Sequence, residues 1–203
     1  MDVDPIESAT GAADEMSASR DRERVRLGTW VAITVALLAT FLGLCKVKDD
    51  NIVQAMQQAQ ADKLDHWNFY QARNIREEVA AAAATQLRLA AAGAPSQQQE
   101  GYGAAIASYE RLIADQAAKK EDVRQQAEQD QRTYDALNYR DDQFDLSDAL
   151  IAMAISLLAL TVLTHKRWLY WLALLPTVGG VVMGLAGLLG WHLHLDSLSR
   201  LLS

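Results

Sequence analysis

Residues 27–45 read LGTWVAITVALLATFLGLC, and the only side chain among them that can ionise is the terminal thiol of Cys45. About 20 apolar residues of helix cross the ~30 Å hydrocarbon core of a bilayer. Lipid offers no water to satisfy peptide groups, so a run of this kind predicts a helix. Two further apolar runs lie near the other end. Residues 149–164 carry no charge and become long enough to span once 146–148 are added, with Asp148 near the interface; residues 168–191 form the third run. The expected fold class is all-α integral membrane, with three transmembrane helices.

The formal charge of −7 is not spread evenly. Residues 46–148 hold 12 Lys/Arg and 18 Asp/Glu, a net of −6. An acidic bridge of this kind makes a poor nucleic-acid ligand, because phosphate affinity comes from clustered cations. Arg20, Arg22, Arg24 and Arg26 precede the first run, and His165, Lys166 and Arg167 separate the second from the third. Three crossings put these two basic flanks on one side. The positive-inside rule then predicts a cytoplasmic N-terminus and a bridge on the outer, periplasmic face. Residues 42–45 have the outline of a lipoprotein cleavage box, but Leu44 stands where a small residue is needed and the run lies far from Met1.

The segments expected are a disordered tail at 1–19, a basic flank and first span at 20–45, and a soluble helical hairpin at 46–145. They continue with a second span at 146–164, a basic loop at 165–167, a third span at 168–192 and a tail at 193–203. The bridge has no Pro or Gly from residue 46 to 92, then Gly93-Ala94-Pro95-Ser96. That quartet stops one helix and starts the next, with Gly93 suited to a left-handed cap. Arms of nearly equal length around a tight turn predict an antiparallel, coiled-coil-like hairpin.

In the returning arm, Tyr102, Ile106, Tyr109, Ile113, Gln116, Lys120, Val123, Ala127, Asp130, Tyr134, Leu137, Asp141 and Phe144 keep an unbroken 4,3 spacing, the seam of a coiled coil. The outgoing arm offers Val53, Met56, Gln60, Leu64, Trp67, Gln71, Ile75, Val79, Ala82 and Gln86. A fold at residues 94–95 sets Trp67 beside Val123, Gln60 beside Asp130 and Gln71 beside Lys120.

The segment Trp67-Asn68-Phe69-Tyr70-Gln71-Ala72-Arg73-Asn74-Ile75-Arg76 resembles the W-x-x-Y-Q-A-[KR]-x-x-R segment of the bacterial family called domain of unknown function 4337. Phe144-Asp145-Leu146 entering an apolar helix, a basic loop and a Gly-rich last helix are similar to the same family. The resemblance covers nearly all of the chain after its first residues. It implies a three-span protein of the bacterial inner membrane with a helical insert, and no assigned activity.

Trp67, Tyr70, Gln71, Arg73 and Arg76 are the candidate partner-contact residues, since Trp, Tyr and Arg dominate interface hot spots. The competing reading is a packing layer in which the arginines pair with Asp115, Glu121 or Asp122. Small residues at Gly28, Ala32, Ala36 and Gly43, and at Gly180, Gly184 and Gly187, are candidate transmembrane packing positions, because small side chains let helices approach closely in lipid.

His192 and His194 are two apart on a helix and point away from each other, which disfavours a shared metal. Asp141, Asp142, Asp145 and Asp148 read as solvated charges where the helix enters lipid. No nucleophile–base pair, phosphate loop or paired catalytic carboxylate is evident, so no enzyme, no cofactor, no metal and no small-molecule substrate are expected. The expected partners are membrane lipid and either a second copy or another membrane protein. The expected role is a non-enzymatic scaffold or accessory subunit that displays the hairpin for partner binding or self-assembly; the alternatives are a sensor that passes hairpin register shifts into the spans and an accessory component of a transport complex.

Overall fold

The computed structural model describes the backbone of residues 5–191 and the side chains from residue 18 onward. It consists of three helices, α1 (Pro5–Ala92), α2 (Ser96–Thr164) and α3 (Arg167–Leu189). No strand occurs among the described residues. Each helix contains a stretch long and apolar enough to cross a membrane by length and composition. Pro5 opens α1, so residues 5–19 are helical and not the disordered tail that composition suggested. Pro suits a first helical position, and the Ala, Glu, Met and Arg that follow extend a helix the apolar run has already nucleated. His192, His194 and the tail at 193–203 lie outside the described residues.

The turn falls where the sequence places it, by a different device. Gly93 and Ala94 donate to the carbonyls of Ala90 and Ala91, a tightened last turn, and Gln98 N–H then closes on Pro95 O at 2.9 Å. Gly93 is not left-handed; among the described residues only His165 (φ 51°) and Gly190 (φ 70°) are. The i→i+3 bonds satisfy the final carbonyls, so no left-handed residue is needed. At the end of α3, Gly190 does supply that cap, with its own N–H and that of Trp191 returning to Ala186 O.

The chain divides into two compact units, one of Met1–Ile52 with Tyr139–Ser203 and one of Val53–Asn138. In the first, Val31 and Leu38 of α1, Ile151, Ala154 and Leu158 of α2 and Ala173 of α3 form the buried cluster. The glycines of α3 set how near the helices come. Ser147 Oγ donates to Gly180 O at 2.8 Å, the Phe144 ring lies on Gly187, and Gly184 faces Phe41 and Ser147. A Cβ built on Gly180 would stand 2.7 Å from Ile151 Cγ1. Gly180→Ala is therefore expected to destabilise this unit by about 1 kcal/mol, because Ile151 must leave its rotamer; a reversible detergent-unfolding titration checks it.

The small residues of α1 behave differently. Nothing lies within 4 Å of a Cβ built on Gly28 or Gly43, and Ala32 and Ala36 are exposed. Val31, Leu38 and Cys45 are the buried positions of that run instead.

In the second unit, Met56, Ala59, Lys63, His66, Tyr70, Arg73, Glu77, Ala80 and Ala84 form the less exposed stripe of α1, again at 4,3 spacing. Its partners on α2 run from Gln131 down to Glu110 as α1 numbers rise from Lys63 to Arg88, with one local exchange at Arg73 and Asn74. Lys63 Nζ donates to Gln131 Oε1 at 2.7 Å, and His66 Nδ1 lies 2.6 Å from Asp130 Oδ2. Arg73 donates to Gln116 Oε1, Lys120 Nζ meets Asn74 Oδ1 and Glu77 Oε2, and Arg88 pairs with Glu110. The returning arm's expected seam holds Gln116 and Ala127 buried, with Val123, Asp130, Tyr134 and Leu137 half-buried.

The outgoing arm is rotated from expectation. Gln60, Leu64, Gln71, Ile75, Val79, Ala82 and Gln86 are exposed, and neither Gln60 with Asp130 nor Gln71 with Lys120 forms a layer. Asp130 takes His66 and Lys120 takes Asn74 and Glu77, because long cationic and carboxylate side chains satisfy one another better than glutamines would.

Candidate functional site

Two places on this frame are not explained by packing alone. The first is the outward face of α1 in the Val53–Asn138 unit. Leu64 is 55% exposed, Ile75 60% and Val79 64%, and Trp67 at 37% rests edge-on against Tyr70 with ring centroids 5.4 Å apart. At 100° per residue, Leu64, Gln71, Ile75 and Val79 share one face, with Trp67 at its edge. That face lies roughly opposite the Lys63, His66, Tyr70 and Arg73 stripe.

The five candidate contact residues thus separate. Trp67 and Gln71 belong to the outward face; Tyr70 and Arg73 turn to α2, Tyr70 with Lys120 Nζ 6.0 Å from its ring centre and Arg73 on Gln116. Arg76 is exposed and makes no ion pair among the described residues. The acids expected to receive the arginines are engaged locally instead, Asp115 by Lys119 and Gln116, Glu121 by Arg124 and Gln125, and Asp122 by Gln126. Neighbours on the same helix reach them with less loss of side-chain freedom.

The second place lies in the other unit, where α1 and α2 face each other beside Cys45. Asp49 is only 3% exposed. Its Oδ2 accepts from Lys46 Nζ at 2.7 Å, while its Oδ1 is buried without a hydrogen-bond partner. Asp141 of α2 stands within hydrogen-bond reach of Asp49. Burial, that contact and the nearby charges of Asp145, Asp49 and Asp142 push its carboxyl up to about 6. A protonated Asp141 is the donor that the Asp49 carboxylate lacks, and two ionised carboxylates at this distance would repel. Burial and Asp145 also raise Asp142, while the hydrogen bond to Asp49, with its charge, holds Lys46 above the usual lysine range.

The acidic run is therefore not uniformly solvated. Asp142 and Asp145 are exposed, but Asp141 is turned against α1. Asp49 did not figure among the sequence candidates, although it lies four residues after Cys45 and three before Ile52, on the same helix face. Among the described residues no group of three His, Cys, Asp or Glu is arranged to hold a metal ion.

Three helices able to cross a bilayer, with a polar helical insert between the first and second apolar stretches, define a class of membrane-compatible helical proteins. Within that class, the chain belongs to the family described as Domain of unknown function (DUF4337), which matches residues 27–190. No curated protein and no solved structure matches it.

Proposed function

We propose that this protein is a non-enzymatic scaffold or accessory subunit of the bacterial inner membrane. Its two long helices form an antiparallel, coiled-coil-like hairpin, on the periplasmic side by the charge of its flanks, that docks a partner membrane protein or a second copy. The observation that carries this reading is the placing of apolar side chains. The face of α1 turned to α2 is built from Lys63, His66, Arg73, Glu77 and alanines beside Met56 and Tyr70, while Leu64, Trp67, Ile75 and Val79 are left to water.

Apolar side chains that a helix turns away from the helix it packs on gain nothing until something covers them. Helix-in-groove recognition reads anchors on one helix face, and these stand at i, i+3, i+11 and i+15. The outward small residues Gly28, Ala32, Ala36 and Gly43 suit a second copy in the same way.

The test uses the full-length chain as bait in native membranes, solubilised gently, beside a Leu64→Gln/Ile75→Gln/Val79→Gln variant. A defined partner or self-association should be retained by the wild type and weakened by about a hundredfold in the variant, at three anchors of roughly 1 kcal/mol each. Helicity should be unchanged, because none of the three faces α2. Equal retention by both chains would sink the reading.

A sensor reading is favoured by one observation, the carboxyl pair Asp49 and Asp141, which links α1 to α2 through a proton. Gaining or losing that proton changes how firmly the two helices are held together and gives the spans a chemical input.

A further inference from the structure

The basic flanks of α1 and α3 meet. Arg167 at the start of α3 pairs with Glu23 of α1 at 2.9 Å, and Tyr170 Oη lies 3.2 Å from Thr34 Oγ1. Between them is an open cleft of about 530 Å³. Its lining is graded along the helices. Arg26 and Arg167 stand at the charged end, and Trp30, Tyr170 and Trp171 continue it towards the apolar runs. Trp30 is 54% exposed and Trp171 68%, as aromatic side chains are where a headgroup layer meets hydrocarbon. Arg26 makes no ion pair among the described residues, so its charge is uncompensated by protein.

We propose that this cleft seats the phosphate headgroup of an anionic phospholipid, with Arg26 and Arg167 as its charge partners and Trp30 and Trp171 flanking the glycerol and first acyl carbons. The inference rests on the reading that the apolar helices span a bilayer. A planar guanidinium can hold two phosphate oxygens at once, which a neutral headgroup zwitterion offers less favourably. The aromatic floor excludes a freely hydrated ion in favour of an amphiphile whose polar and apolar parts match the two ends. Glu23 acts against the ligand by sharing Arg167, so its neutralisation should strengthen the site.

The experiment is native mass spectrometry of the full-length chain released from vesicles of equal phosphatidylcholine and phosphatidylglycerol. The wild type should keep phosphatidylglycerol in preference to phosphatidylcholine. Arg26→Gln and Arg167→Gln should each reduce that preference by about fivefold, the worth of one basic residue at a membrane surface. Glu23→Gln should raise it, and Lys48→Gln, which removes a cation at the other flank of the first run, should leave it unchanged.

Equal retention of the two lipids, or equal losses in the Arg26, Arg167 and Lys48 variants, would overturn the proposal. So would a weaker preference in Glu23→Gln, or uptake of inorganic phosphate alone in neutral detergent, which would make free phosphate the ligand. Extraction with alkaline carbonate separates the two levels. Release of the protein from membranes would refute the spanning reading itself, whereas retention together with no lipid preference would refute only the cleft.

Discussion

Phe144→Ala is expected to cost about 3 kcal/mol of stability, since Phe144 is the largest fully buried side chain among the described residues. The ring is 1% exposed and lies where a Cβ on Gly187 would come within 2.9 Å, so it fills the space that a side chain on α3 would otherwise occupy. Removing it leaves a void bounded by a glycine, which has no side chain to collapse inward. The residues around it make this end of α3 depend on α2. Arg140 donates to Gly187 O at 2.9 Å and Gln143 to Trp191 O at 2.8 Å, so one carbonyl of the last turn and one just beyond the cap are satisfied from α2. Reversible unfolding in mixed detergent micelles measures the change, and Phe144→Leu, which keeps most of the volume, should recover more than half of it. A Phe144→Ala protein as stable as the wild type would show that the contact contributes nothing.

The second large effect is one of pH. Asp141 carries its proton up to about 6 in the folded chain, against an ordinary value of 3.8. Between those two values the folded state binds more proton than the unfolded one. Stability is therefore fully present near pH 4 and is lost as pH rises through 6. Water at the rim of the pair screens part of the shift, which leaves about 2 kcal/mol. The unfolding midpoint in neutral detergent should fall over that window and then level off. Asp141→Asn should flatten the profile, because an amide still donates to Asp49 but does not titrate. An unchanged slope in Asp141→Asn would assign the pH dependence to other groups.

Much of this architecture could be read from the chain before any coordinates. Uninterrupted apolar runs required helices, Gly93 and Pro95 required a turn, and the returning arm's 4,3 spacing correctly marked Gln116, Val123 and Ala127 as its covered side. The outgoing arm misled because hydrophobicity and burial disagree there. Leu64, Trp67, Ile75 and Val79 are the obvious apolar positions, and they face away from α2.

A better signal was present in continuity. Val31, Leu38, Cys45, Ile52 and Ala59 are seven apart and buried, and the next step lands on His66, then Arg73 and Ala80. Asp49 lies on the same face, four residues after Cys45 and three before Ile52, so a carboxylate at a covered position was legible there. That it faces Asp141 was not, because pairing between helices depends on a register that one sequence cannot fix. The cleft beside Arg26 was hidden for the same reason, since residues more than 140 apart in the chain form its charged end.

The unbroken sevens of α1 also limit how this protein can change in length. One residue inserted after Ala59 would swing everything beyond it by about 100° and turn Asp62, Asp65, Phe69 and Arg76 towards α2 in place of Lys63, His66, Tyr70 and Glu77. Seven inserted residues move the same side chains by only about 20°. The Val53–Asn138 unit keeps its contacts only if it grows or shrinks in whole heptads on both helices together, which makes its length a stepped quantity and not a continuous one.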